Sequence, residues 1–379
     1  MGTRALLGPA DVDDASLTSM VGDALAVDDV QVLDCSVEVV DYDLDALTTA
    51  GRFWVRGTAQ HGDGRSPYAF FVKVVQSWSR TPQFQMVPEQ MRELAAAGLP
   101  WEGEPLVYRS DLAQRLPAGL GLPRVHLVRE LDELSACMWL QAVDADPSPW
   151  EPARFERAAY LLGRLAASTS VEPLGALGMQ DVVRSYVHGR VSGQVVPALH
   201  SDALWAHPLV ADAFSPELRT RVLAAADALP ALVAELHGAP VGVAHGDACV
   251  RNLLVPRDGT HDFVLIDFSF WCRAPLGFDL TQLLVGEVQL GERSAAELPE
   301  LHELCLRAYV RGLQDEGCDV ALDTVRRVQA LLMLLFAGLS SVPVELAYGM
   351  PAPGGADVVS ERASAAAFVL DLVDATGGV

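Results

Sequence analysis

Basic residues are few in this chain beside its acids. Lys and Arg number 27 against 50 Asp and Glu in 379 residues, a formal net charge of −23, and lysine in particular is scarce. So acidic a chain is unsuited to a nucleic-acid backbone, whose binding rests on neutralised phosphates. The charge serves solubility first, although it would also suit a cationic ligand. Long hydrophobic runs are missing too. The longest, Ala330 to Leu339, is followed by Ser340, Ser341 and Pro343 and falls well short of the ~20 residues that cross a bilayer, so a buried helix is expected and no membrane association, despite a positive mean hydropathy. The N-terminal MGTRALLGPADVDD meets acids too early for a secretory leader. Six cysteines, at 35, 137, 249, 272, 305 and 318, form no CxxC pair and no zinc spacing, which points to free thiols in a reducing cytoplasm. Repeats and low-complexity tracts are not evident.

What is present is an ordinary globular balance, 50% hydrophobic and 20% charged. At ~100–200 residues per domain the length argues for two domains. Residues 1–140 read as strands. Val30 to Val40 is one candidate, and Phe53–Ala59 and Tyr68–Gln76 form a hairpin around the turn-forming 61–67 stretch. A helix is expected over Glu102–Leu112, then strands near Arg124–Arg129 and Cys137–Val143. After Asp144-Ala145-Asp146-Pro147-Ser148-Pro149 the pattern becomes helical. Phe155, Ala158, Ala159, Leu162, Leu165 and Ala166 share one helical face. A second helix running from Leu218 to Leu236 should bend at Pro230. The reading divides the chain into a strand-rich part, 1–143, and a mostly helical part, 144–379.

The chemistry is concentrated in VAHGDACVRNLLVPRDGTHDFVLIDFSFWCRAPLGFDL, residues 243–280. His245-Gly246-Asp247 is followed by Asn252, a turn at Pro256–Gly259, and Ile266-Asp267 closing an apolar strand. Folding Asn252–Val255 against Asp262–Asp267 brings Asp247, Asn252 and Asp267 to one end of a ribbon. Two carboxylates and an amide oxygen make a hard-oxygen site of the kind Mg²⁺ prefers. A metal hydrolase built on His237, His245 and Asp247 is disfavoured, because those histidines are eight apart and lack H-E-x-x-H pairing.

His245-x-Asp247-x₄-Asn252 followed by Ile266-Asp267 resembles the catalytic and metal segment of the aminoglycoside phosphotransferase and choline kinase family, related in turn to the H-R-D-x-x-x-x-N and D-F-G elements of protein kinases. Gly277-Phe278-Asp279-Leu280 is similar to the family stretch whose Asp supports the catalytic loop. The resemblance implies an α+β, bilobal protein-kinase-like fold, with a nucleotide-binding lobe followed by a helical lobe carrying the catalytic loop, metal site and acceptor pocket. It implies Asp247 as the catalytic residue, Asn252 and Asp267 as Mg²⁺ ligands, and ATP or GTP as phosphoryl donor. His245 would anchor the loop, while Arg251 is adjacent and basic and could either touch phosphate or not.

The same resemblance implies a phosphate-binding lysine in the first lobe. Lys73 lies inside the apolar Phe70–Val75 strand, where a charge needs a reason. Its expected carboxylate partner is Glu104, or Glu102 if the register slips, and its removal is expected to weaken nucleotide binding with little effect on the fold. Leu47–Arg52 could cover the phosphates or form an ordinary hairpin turn. The nucleobase would meet main chain near Trp139–Val143. For the acceptor pocket, 170–215 and 280–355 are expected to contribute, with Tyr186, His188, Trp205, His207, Trp271, Glu287 and Tyr348 as candidates. The expected partners are a nucleoside triphosphate and a small-molecule hydroxyl acceptor, on a monomer or homodimer. Scarce Lys beside abundant Ala, Gly, Val, Leu, Arg and Asp suggests a GC-rich bacterial genome and an antibiotic acceptor. A choline-like alcohol, homoserine or a sugar alcohol is the metabolic alternative, and a non-catalytic nucleotide-binding pseudokinase is the other.

Overall fold

The computed structural model describes residues 3–41, 47–87, 89–352 and 354–378. Its first third runs α1 (Asp14–Leu25), β1 (Gln31–Val32), β2 (Ser36–Val39), β3 (Thr49–His61), β4 (Gly64–Gln76), α2 (Arg92–Ala97), α3 (Gly103–Arg109), α4 (Leu112–Arg115), β5 (Leu120–Gly121), β6 (Val125–Asp132) and β7 (Ser135–Gln141). The main sheet has the order β1-β3-β4-β7-β6, all antiparallel, with β2 also paired to β3. Its two faces are covered differently. Leu17, Met20 and Val21 of α1 join Val55, Phe70, Val72 and Trp139 in one small core. Strand residues alternate between faces, so Lys73 and Val75 point the other way, and Val75, Ala136, Met138 and Leu140 belong to the large core shared with the helices.

Three local readings change. The single strand expected over 30–40 is two short ones, because Asp34 interrupts the ladder: its carboxylate accepts from the Thr58 N–H (3.1 Å) and its carbonyl from the Tyr68 hydroxyl (2.8 Å). The β3–β4 turn is also tighter than expected, Gly62-Asp63 with Gly62 at φ 53°, and 64–67 continue the strand. Pro67 is tolerated there because β7 pairs only with Phe70–Gln76, so its missing N–H costs no bond on that side. Finally, the helix expected to bend at Pro230 is two helices, Pro216–Asp227 and Leu229–His237. Pro230 occupies the first turn of the second, where an N–H has no helical partner to lose.

From α5 (Pro152–Ala167) onward the chain is mostly helical, interrupted by β8 (Val241–Ala244), β9 (Leu253–Leu254), β10 (Phe263–Leu265) and β11 (Cys272–Pro275). β9 pairs with β10, and β8 with β11, both antiparallel. The apolar run at 330–339 is buried, and among the described residues no helix is long and apolar enough to cross a membrane. The architecture is the expected one: a strand-rich first lobe and a helical second lobe.

Candidate active site

The loop after β8 is held from three sides. Gly246 has φ 90°, and a Cβ there would sit 1.9 Å from the Phe270 carbonyl oxygen, so only glycine fits. Asp279, buried in the first turn of the helix Phe278–Gln289, accepts the backbone N–H groups of His245 and Gly246, both at 2.9 Å. His245 ties the loop to the other strand end. Its Nδ1 accepts from the Asp247 N–H (3.3 Å) and its Nε2 bonds the Ile266 carbonyl (2.9 Å). A carbonyl can only accept, so Nε2 carries the proton. Burial holds the ring pKa down to about 4 against the pull of Asp267, and the imidazole is neutral. This is an anchor with both nitrogens engaged.

Asn252 ends the single turn Val250–Asn252 and donates its amide N–H to the Asp247 carbonyl and to Asp247 Oδ2, each at 2.9 Å. Asn252 Oδ1 is then the oxygen available to a cation. Burial and the nearby Asp267 charge push the Asp247 carboxyl up to about 6, despite the Asn252 bond. Asp267 follows β10 with φ 61°, a left-handed conformation that Asp tolerates better than most side chains. Its Oδ1 lies 2.9 Å from Lys73 Nζ and accepts from the Ser269 hydroxyl at 2.7 Å.

Lys73 is 3% exposed and Glu104 1%. Their 2.6 Å contact, with the Asp267 contact beside it, makes a buried cluster fed by β4, α3 and the segment after β10. Burial disfavours the ammonium, but Asp267 and Glu104 more than restore it, so Lys73 stays charged. Asp267 is likewise opposed by burial, yet Lys73 and Ser269 hold its carboxyl well below the usual range. Glu104 is pushed up by burial against the pull of Lys73. One ammonium therefore serves two carboxylates, and Asp247 adds a third. The surplus negative charge, with the Asn252 amide oxygen, fits a hard divalent cation that takes its remaining ligands from phosphate and water. Among the described residues no group of three or more His, Cys, Asp or Glu is placed to form a metal cage.

Glu102, the alternative partner, is exposed, and Glu104 alone of the two meets Lys73. Arg251 pairs with Glu292. Thr49–Arg52 open β3, with the register slipping between Thr49 and Gly51, so they are strand and bulge. Trp139 and Gln141 lie within β7. The Trp139 indole N–H donates to Ala10 O at 3.0 Å, away from the ion cluster, and the Gln141 N–H bonds Arg124 O. Among the acceptor candidates, Trp205 and Trp271 are core residues with indole N–H groups bonded to Leu199 O and Leu174 O. Tyr186 stacks on Phe336, Glu287 pairs with Arg293, and His188 and Tyr348 are exposed. The His237–His245–Asp247 trio does not assemble: His237 lies 3.7 Å from Asp181.

Sequence reasoning missed Ser269, whose hydroxyl also lies 3.3 Å from Glu104 Oε2 and so ties both carboxylates of the cluster. It also missed a compositional signal. Lys73 is the sole lysine of the chain and Asn252 its sole asparagine. Both lie in this site.

Residues 60–313, well over half of the chain, match the model of the phosphotransferase enzyme family. No curated protein matches the chain in sequence. Among solved structures, a Ralstonia eutropha protein provisionally named an aminoglycoside phosphotransferase aligns with 96% of this chain and 98% of its own, at 11% identity and a TM-score of 0.53. An aminoglycoside phosphotransferase from Alicyclobacillus acidocaldarius aligns with 83% of this chain and 91% of its own, at 16% identity and a TM-score of 0.50. These likenesses are of fold. The family match, over residues 60–313 that include the His245–Asp267 segment, identifies the protein as a member of the phosphotransferase enzyme family.

Proposed function

We propose that this phosphotransferase moves the γ-phosphoryl group of ATP or GTP to a hydroxyl of a small molecule, and that the acceptor is an antibiotic. The observation that carries the donor half is the buried Lys73–Glu104–Asp267 cluster beside Asp247 and Asn252. A lysine so enclosed has little structural use for its charge, because a buried ion pair contributes weakly to stability against an apolar replacement. An ammonium fixed by two carboxylates can instead position α- and β-phosphates.

In this reading Asp247 accepts the hydrogen bond of the acceptor hydroxyl, orients its oxygen towards the γ-phosphorus and takes its proton late in transfer. Asn252 holds Asp247 in place through its N–H and offers Oδ1 to Mg²⁺, with Asp267 as the carboxylate ligand. Bound Mg²⁺ supplies neutralisation of phosphate charge. Transfer passes through a loose transition state, so positioning and charge supply most of the catalysis. The neutral, doubly bonded His245 moves no proton. On the acceptor side, the net charge of −23 favours a cationic compound, and the GC-rich composition favours a bacterial setting in which antibiotic modification is useful.

The test is Mg²⁺-dependent turnover of ATP and GTP by the purified protein with a panel of aminoglycosides, macrolides, choline, homoserine and sugar alcohols, the products identified by mass spectrometry. A gain of one phosphate on an antibiotic hydroxyl is expected. Phosphorylation confined to a metabolite would overturn the acceptor assignment, and nucleotide binding without any transfer would overturn the catalytic role of Asp247.

A further inference from the structure

The first lobe carries a second cation aimed at the same place as Lys73. Arg52 of β3 stands directly opposite Lys73 of β4 in the antiparallel register. Side chains of directly opposed residues emerge on the same face of a sheet, with Cβ atoms ~4.5–5.5 Å apart. Lys73 points to Glu104 and Asp267, so Arg52 projects on the face that carries this cluster. The positive charge of Arg52 also reaches Asp267 and helps keep its carboxyl ionised. The backbone supports this placement. The register slips between Thr49 and Gly51, immediately before Arg52, and the Val40 N–H bonds the Arg52 carbonyl at 2.9 Å, fixing the residue from its other side.

This start of β3 is also where a glycine-rich loop would cover phosphates in a kinase-like site, and the segment Leu47–Arg52 has a single glycine. With side chains on five of its six residues, this segment has little of the backbone freedom that lets a glycine-rich loop close over phosphates, while a guanidinium offers five donors in a planar fork suited to phosphate oxygens. Lys73, enclosed by two carboxylates, acts as a point charge. A fork beside it adds direction.

We propose that Arg52 is a nucleotide-binding residue: its guanidinium contacts the phosphate chain of the bound nucleoside di- or triphosphate from the sheet side, in the place of a glycine-rich loop. The inference rests on the proposed nucleotide site and adds to it a residue that neither the motif nor the Lys73 cluster supplies. Arg52 acts on phosphate and leaves the base and sugar to other contacts.

Calorimetric titration of ADP and GDP, each with Mg²⁺, and of adenosine and guanosine separates these possibilities. The proteins are wild type, Arg52→Gln and Arg52→Lys, each checked by its melting temperature. Arg52→Gln should weaken the diphosphate that binds wild type by roughly tenfold or more, the scale of a charge-assisted hydrogen bond. The matching nucleoside should change by less than about twofold, and Arg52→Lys should recover part of the diphosphate affinity through its charge. Unchanged diphosphate affinity in Arg52→Gln overturns the inference and leaves the nucleotide site standing. Equal losses for nucleoside and diphosphate overturn it as well, since they mark a structural role. If wild type binds none of the four probes, the nucleotide site itself fails, and the inference with it.

Discussion

One lysine and one asparagine in 379 residues place strong constraints on what those side chains do. Every other cation on the chain is Arg or His, so Arg serves wherever a positive charge on a long stem suffices. At position 73 the enclosed ammonium touches two carboxylates at 2.6 and 2.9 Å, a compact point charge where arginine would bring a larger planar fork. At position 252 the side chain must donate to Asp247 and still offer an oxygen. Asp could not donate when ionised and would add a like charge. The burial of Lys73 also revises the expectation that its loss spares the fold. Lys73→Ala leaves two buried carboxylates without their partner and should cost about 3–5 kcal/mol in denaturant unfolding, together with a marked loss of nucleotide affinity. Lys73→Arg should keep the charge yet fail to restore activity. A second prediction concerns pH. The raised Asp247 pKa means that the carboxylate is lost as pH falls through about 6, and a protonated acid cannot accept the hydroxyl's proton. The acid limb of kcat/KM should therefore fall with a midpoint near 6. A rate independent of pH between 5 and 7 would count against Asp247 as the ionised group. That Asp247, Asn252 and Asp267 would be brought together was legible in their spacing, and Glu104 as the partner of Lys73 in its place four before Tyr108. Ser269 was not, since a hydroxyl between two phenylalanines carries no pattern of its own until the chain folds it onto Glu104 and Asp267.

Elements of this fold place side chains by their ends more than by their lengths. The loop that carries Asp247 is fixed by the start of the helix Phe278–Gln289, where one carboxylate, Asp279, satisfies two backbone N–H groups. Asp279→Ala leaves both donors buried and unpaired, at ~1–3 kcal/mol each. Unfolding by denaturant should show the loss, and kcat should fall with it because the Asp247 loop loses its support; a variant of full stability would contradict this account. Burial has pushed the Asp279 carboxyl up to about 6 against the two N–H bonds that favour its ionised form. The hairpin β3–β4 and the ribbon β9–β10 could be read from alternation and turn residues. The helix α1 could not: a capping Asp13, whose carboxylate accepts from Ser16 at 2.7 Å, and an apolar set at 17, 20 and 21 are modest signals beside so many acids. The break in the 30–40 strand depends on Thr58 and Tyr68, more than twenty residues away, and is invisible locally.

At the scale of the whole molecule, the Lys73 cluster joins the two lobes. β4 and α3 supply the ammonium and one carboxylate, and the C-terminal ribbon supplies the other. Asp267 sits at the centre of this arrangement, paired with Lys73 and close enough to Asp247 to raise its pKa. The proposed donor-binding and acceptor-activating roles fall on residues that act on the same carboxylate in different ways, Lys73 by contact and Asp247 through its charge, and they should separate on mutation. The most direct test compares wild type and Asp247→Asn in two readouts under the same conditions: transfer of the γ-phosphoryl group to the best acceptor of the panel, and the affinity for the Mg²⁺-nucleotide. Asp247→Asn should lose ~10²–10⁴-fold in kcat, the usual range for a general base, while its nucleotide affinity stays within a few-fold of wild type. Turnover within a few-fold of wild type in that variant would contradict the assignment of Asp247, and with it the account of how this site works.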